Sequence, residues 1–139
     1  MPSKKKPSRG SVPGTRYLAV SEARFKDMKA LLSKERWDGA VYIGGYVIEC
    51  FLKYRITVGM GVPKLPANYE IHTLDILAGA AFATKDWDTF TRSNKAIESI
   101  MEDWSTSLRY QVNITSAAQA KVFCNLVDLV YDQLKELTP

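Results

Sequence analysis

The sequence predicts an all-α protein, an up-and-down four-helix bundle with one or two short extra helices. Apolar residues recur at three- and four-residue spacing through most of the chain, the period of an amphipathic helix. No segment alternates with the period of two that a half-buried strand requires. Residues that cap helices stand where several of the periodic stretches begin. A length of 139 residues fits one domain, and 46% hydrophobic with 11% aromatic content is enough to bury a core.

Residues 1–14 are polar, with three prolines and two glycines, and are expected to form a disordered basic leader to a single domain at 15–139. The first helix is placed from Thr15 to Lys34, with Leu18, Phe25, Met28, Leu31 and Leu32 on its apolar side and Ser21 and Lys29 opposite. Asp38 is read as the N-cap of a second helix, Gly39 to Val58. Val41, Tyr42, Tyr46, Ile48, Cys50, Leu52 and Ile56 leave that helix apolar on most faces, which marks it as the centre of the bundle. The pair Gly44-Gly45 costs about 1 kcal/mol per residue relative to alanine in a helix interior. Such a pair points to the close approach of another helix or of a ligand.

Gly59, Gly61, Pro63 and Pro66 end the second helix and give a loop to Glu70. A third helix starts near His72 or Thr73 and carries Leu74, Ile76 and Leu77. Asp86 heads a short helical piece with Trp87 and Phe90. Ser93 or Asn94 opens a fourth helix through Ile97, Ile100, Met101 and Trp104. After an irregular stretch, Ser105–Thr115, Ser116 caps a last helix with the apolar set Ala120, Phe123, Cys124, Val127, Val130, Tyr131 and Leu134.

The longest apolar run, Ala40–Phe51, is broken by Glu49 and followed by Lys53 and Arg55. It is too short and too charged for a bilayer, which needs about 20 apolar residues. No apolar segment follows Lys4-Lys5-Lys6, so a secretory signal is not expected. Cys50 and Cys124 lie inside apolar helical patterns and read as buried thiols in a reducing cytoplasm. The net charge of +4 is concentrated in Lys4, Lys5, Lys6, Arg9 and Arg16, ahead of the first acid, Glu22. Such an arm either holds nucleic-acid phosphates or serves as a solvated leader. No phosphate-binding glycine loop and no acid-rich helix pattern is present, and neither a metal nor a cofactor is expected.

Glu49 and Lys53 lie one turn apart on the predicted central helix. Their apolar neighbours imply that at least one of them is partly buried, and a buried charge demands a polar cluster around it. Tyr46, His72 and Arg109 are the candidates. His72 is the sole histidine and the sole candidate for an imidazole base; the alternative is a structural histidine that orients its loop. Arg109 would hold a phosphate bidentately or pair with Glu49. Tyr46, Trp104 and Tyr110 are available for stacking on bases.

The run Tyr42-Ile43-Gly44-Gly45-Tyr46-Val47-Ile48-Glu49-Cys50-Phe51-Leu52-Lys53 resembles the central-helix signature of HEPN domains. His72-Thr73-Leu74-Asp75-Ile76-Leu77 is similar to their His-x-Leu-x-x-Leu segment, and Trp104 with Leu108-Arg109-Tyr110 to the aromatic and Arg-Tyr element before their last helix. The resemblance implies a helical bundle that forms a homodimer and binds nucleotide or RNA. It also implies membership of a two-component (toxin–antitoxin or nucleotidyltransferase-associated) or defence system, with a nucleotidyltransferase as partner protein. On this reading Tyr46, Glu49, Lys53, His72, Arg109 and Tyr110 line the ligand site.

HEPN RNases carry an arginine, then four to six intervening residues, then a histidine, and this chain departs from that pattern. No histidine follows Arg109, and no arginine precedes His72 at that spacing. Binding is therefore expected rather than catalysis. The alternatives are a metal-independent endoribonuclease, with His72 as base and Arg109 stabilising the phosphorane, and a non-catalytic dimeric interaction module.

Overall fold

The computed structural model describes residues 12–81, 99–100, 102 and 104–136. The leader up to residue 11, the helical piece at Asp86, and the predicted fourth helix apart from Ser99, Ile100, Glu102 and Trp104 lie outside the described residues. The rest is an all-α bundle, as the periodicity predicts. Its described α-helices are α1 (Gly14–Ser33), α2 (Trp37–Met60), α3 (Leu74–Ala81) and α4 (Ala117–Glu136), with 3-10 turns at Ala67–Tyr69 and Thr106–Tyr110.

α1 and α2 form an antiparallel pair held at both ends and in the middle. Gly14, at the start of α1, lies against Thr57 near the end of α2, where a Cβ would come within 2.0 Å of the Thr57 Oγ1. Midway, the Ser21 hydroxyl donates to the Val47 carbonyl at 2.7 Å. Ser21 therefore does not face away from the core as its polarity suggested; it is buried at the contact, where its hydroxyl has a backbone acceptor. The connecting turn closes with Glu35 N–H to the Leu32 carbonyl and Arg36 N–H to the Leu31 carbonyl, and Glu35 is left-handed at φ 58°.

α2 is the central helix, buried on most faces between α1, α3 and α4. The glycine pair explains how it can be. A Cβ on Gly44 would stand 3.0 Å from the Met28 Sδ of α1 and 3.3 Å from the Phe123 ring of α4. A Cβ on Gly45 would stand 1.9 Å from the Trp104 indole. Gly44 thus admits neighbouring helices and Gly45 admits a side chain. Trp104 is 5% exposed and its Nε1 donates to the Tyr42 carbonyl at 3.0 Å.

α2 begins two residues earlier than expected, with Arg36 at the N-cap position and Asp38 already inside the first turn. It ends at Gly61, left-handed at φ 65°. The loop beyond turns back along the end of the leader: Leu65 N–H donates to the Val12 carbonyl, and Gly14 N–H to the Pro63 carbonyl. Ser116 caps α4 as expected, its hydroxyl accepting from the Gln119 N–H, and the Gln119 side-chain carbonyl accepts from the Ser116 N–H to complete a capping box. Its buried residues are the seven of the predicted apolar set. Among the described residues no helix is long and apolar enough to cross a membrane.

Gly45→Ala forces the indole out of its seat and is expected to destabilise the fold by about 1–3 kcal/mol, the usual penalty for overpacking. Urea denaturation with a red-shifted tryptophan emission is the readout. Gly79→Ala on α3, where no atom lies within 4 Å of the new Cβ, is expected to stabilise by about 0.5–1 kcal/mol in the same assay.

Candidate functional site

Tyr42, Tyr46, Glu49 and Lys53 are spaced by four, three and four residues, so they form one stripe along α2. Glu49 is 2% exposed. Its Oε2 accepts from the Lys53 Nζ at 3.2 Å and its Oε1 from the His72 Nδ1 at 2.8 Å. A lone carboxylate at this depth would carry a prohibitive desolvation cost; Lys53 supplies the opposite charge and His72 a second donor. Lys53 is itself 5% exposed, and its ammonium lies 5.5 Å from the Tyr17 ring centroid. Burial, and after it the charge of Glu70 and the nearby Cys50 and Glu49, push the Tyr17 phenol up, so it stays neutral beside the pair.

The loop between α2 and α3 brings His72 onto this carboxylate across 23 residues of sequence. Its side chain remains 55% exposed. An ionised carboxylate only accepts, so Nδ1 carries the proton, which leaves Nε2 as the lone-pair nitrogen of the neutral ring. The result is a solvent-facing imidazole held by a buried acid.

The aromatic part of the stripe continues from there. The Tyr46 ring stands edge-on to His72, with centroids 6.2 Å apart, and edge-on to Trp104 and Tyr42 at 5.1 Å each. The Tyr42 and Tyr46 hydroxyls share a hydrogen bond at 3.1 Å. Burial, then the bond to Tyr42, raise the Tyr46 pKa well above the ordinary phenol value, so its hydroxyl stays protonated. Arg109, on the second 3-10 turn, is exposed and holds its guanidinium 4.8 Å over the Tyr110 ring. Its neighbours Tyr110 and, less strongly, Tyr42 raise its pKa.

Tyr46, Glu49, Lys53 and His72 are thus linked through contacts in one row that Tyr42 extends, and Arg109, over Tyr110, lies near its Tyr42 end. Arg109 does not pair with Glu49; among the described residues the partners of Glu49 are Lys53, in an ion pair, and His72, in a hydrogen bond. Lys53 faces inward to its acid rather than outward to a ligand. Trp104 is core beneath Tyr46, because the Gly45 seat and the bond to Tyr42 draw it inward, and it offers no open face for stacking. Among the described residues no group of three or more histidine, cysteine or acidic side chains is placed to hold a metal. Burial pushes the Cys50 thiol up to about 12, with Glu49 adding to the effect, and the Cys124 thiol up to about 11, so neither is a thiolate nucleophile at neutral pH.

No protein-family model, no curated protein and no solved structure matches the chain at a significant level. The site therefore rests on its own geometry.

Three residues escaped the sequence reading. Tyr42 could have been found from the four-three-four spacing that it shares with Glu49 and Lys53. Tyr17, on α1, carries no local signal. Asp38 was assigned to a helix cap, but its carboxylate instead accepts from the backbone N–H of Asn113 and, at 2.9 Å, of Thr115, and so pins the segment that carries Arg109. Burial alone would raise its pKa; the Thr115 hydroxyl and the N–H groups of residues 113–115 outweigh that and hold it below the ordinary carboxylate value.

Glu49→Ala strands a buried ammonium and is expected to cost about 3–5 kcal/mol in urea denaturation. Glu49→Leu combined with Lys53→Met removes both charges and is expected to recover most of that loss. Asp38 gives a pH signature. With its folded pKa lowered, its contribution is fully present above the ordinary value of 3.8 and fades as pH falls through the folded value. Asp38→Asn is expected to lose stability at pH 7 and to flatten that part of the acid limb in denaturation series between pH 2 and pH 5.

Proposed function

We propose that the chain is a HEPN-like nucleotide- or RNA-binding protein whose ligand lies along the row from His72 to Arg109. The observation that carries this reading is the hydrogen-bonded pair Tyr42–Tyr46, with an exposed acid-held histidine at one end and an exposed arginine at the other. Arg109 presents a planar fork of N–H donors suited to a phosphate. The Tyr110 ring, 78% exposed, is open to a base, and the Tyr42 and Tyr46 hydroxyls can bond ribose or phosphate oxygens. Lys53 serves as the counter-ion that allows Glu49 to be buried. The three motifs behind the HEPN resemblance contribute Glu49, His72 and Arg109 to this single row, which supports the family reading. A second copy of the chain and a nucleotidyltransferase in a two-component or defence system belong to the same proposal.

A second reading, metal-independent RNA cleavage, is favoured by one feature. Glu49 fixes the protonated nitrogen of His72, which leaves Nε2 as the basic atom, as a general base requires.

Arg109→Ala is expected to weaken RNA retention by about tenfold or more, the scale of a lost charged hydrogen bond. It is also expected to abolish the rise in melting temperature produced by nucleotides. An unchanged affinity in that variant, with no nucleotide raising the melting temperature of the parent protein, would sink the binding reading. Cleavage of labelled RNA in the presence of chelator, lost in His72→Ala, would establish the second.

A further inference from the structure

A concavity lies beside the row. The corner between α1 and α2 faces the segment that joins the second 3-10 turn to α4 across a cleft of about 310 Å³. That volume falls at the lower end of small-ligand sites, roughly 300–1,000 Å³. Arg36, Trp37, Gln111, Val112, Asn113 and Thr115 line it.

The cleft is held open by the fold. Asp38, on the α2 side, takes the N–H groups of the opposite wall, which fixes the distance between the two sides. Glu35 and Asn113 are the non-glycine residues with positive φ among the described residues, and both lie on this cleft. Asparagine adopts that conformation readily, whereas for Glu35 it costs of order 1 kcal/mol.

The lining chemistry selects a class of ligand. The acceptors of Asp38 are occupied by the backbone of residues 113–115, and the exposed Glu35 and Arg36 bring one charge of each sign to the corner of the cleft. The side chains of Gln111 and Asn113 each combine a donor and an acceptor. Beside them stand the partly buried Trp37, with the Lys121 ammonium 5.7 Å from its ring centroid, and the exposed Val112. Paired donor–acceptor groups next to a flat apolar surface match a planar heterocycle with a hydrogen-bonding edge, rather than an aliphatic chain. Gln111 follows Arg109 by two residues, a chain reach of roughly 7 Å.

We infer that this cleft is a nucleobase pocket. The base lies against Trp37 and Val112, its edge is read by Gln111 and Asn113, and its phosphate is held by Arg109. The inference rests on the nucleotide-binding reading above and adds to it the place where the base is recognised.

The test compares four nucleoside 5′-monophosphates with ribose 5-phosphate, by calorimetry on the full chain, in the parent protein and three variants. Asn113→Gly keeps the left-handed backbone while deleting the amide, and Gln111→Ala deletes the other; melting curves check that both remain folded. At least one nucleotide is expected to bind more tightly than ribose 5-phosphate. Each amide variant is expected to lose about 2- to 10-fold for that nucleotide, the scale of a neutral hydrogen bond, and nothing for ribose 5-phosphate. If nucleotides and ribose 5-phosphate bind alike, or the amide variants change nothing while Arg109→Ala still abolishes binding, the pocket is refuted and the phosphate-binding row stands. If the parent protein binds neither these compounds nor RNA, the row and the pocket fall together.

Discussion

Glu49 is a carboxylate in the middle of the most deeply buried helix, and much of the site follows from how that charge is accommodated. An isolated carboxylate cannot remain ionised in such a place, so the fold surrounds it with donors of different kinds. Lys53 comes from the same helix one turn on and needs only the helix to form. His72 comes from the far side of a loop and needs the whole α2–α3 connection to close. The same bond that satisfies the acid therefore fixes the histidine, and a requirement of folding becomes an oriented functional group.

Close packing around α2 sets the geometry of the remaining groups. Gly44 lets α1 and α4 come within contact of the helix backbone, and Gly45 opens a seat for Trp104. The seated indole forms a platform for Tyr46, which in turn lies edge-on to His72 and is bonded to Tyr42. The backbone entropy given up at two adjacent glycines is offset by burial of an indole and by a stripe of polar groups whose rings cannot swing freely.

The positive groups near the site divide by depth. Lys53 is inside, neutralised and unavailable to solvent; Arg109 is outside, lying over Tyr110 and near Tyr42. Asp38 makes that outer position reproducible, because it anchors the short segment beyond Arg109 to the start of α2. One acidic residue thus orients a histidine by being buried, and another orients an arginine by gathering backbone N–H groups.

Much of this architecture was legible without coordinates. The seven buried residues of α4, its Ser116 cap, the glycine stop of α2 (which runs two residues beyond the expected Val58) and the central place of α2 are local consequences of periodicity and backbone preference. Sequence determines them because helix geometry repeats every few residues whatever the rest of the chain does. The sequence also offered His72 as a partner for the buried Glu49, and the two are bonded. What the sequence could not determine is which of these touch. Ser21 reads as outward and lies buried, Trp104 reads as a stacking surface and lies in the core, and Arg109 lies over Tyr110 rather than pairing with Glu49. Such pairings depend on where loops return the chain and how closely helices approach, and only the tertiary structure decides between partners that are equally compatible with a one-dimensional pattern.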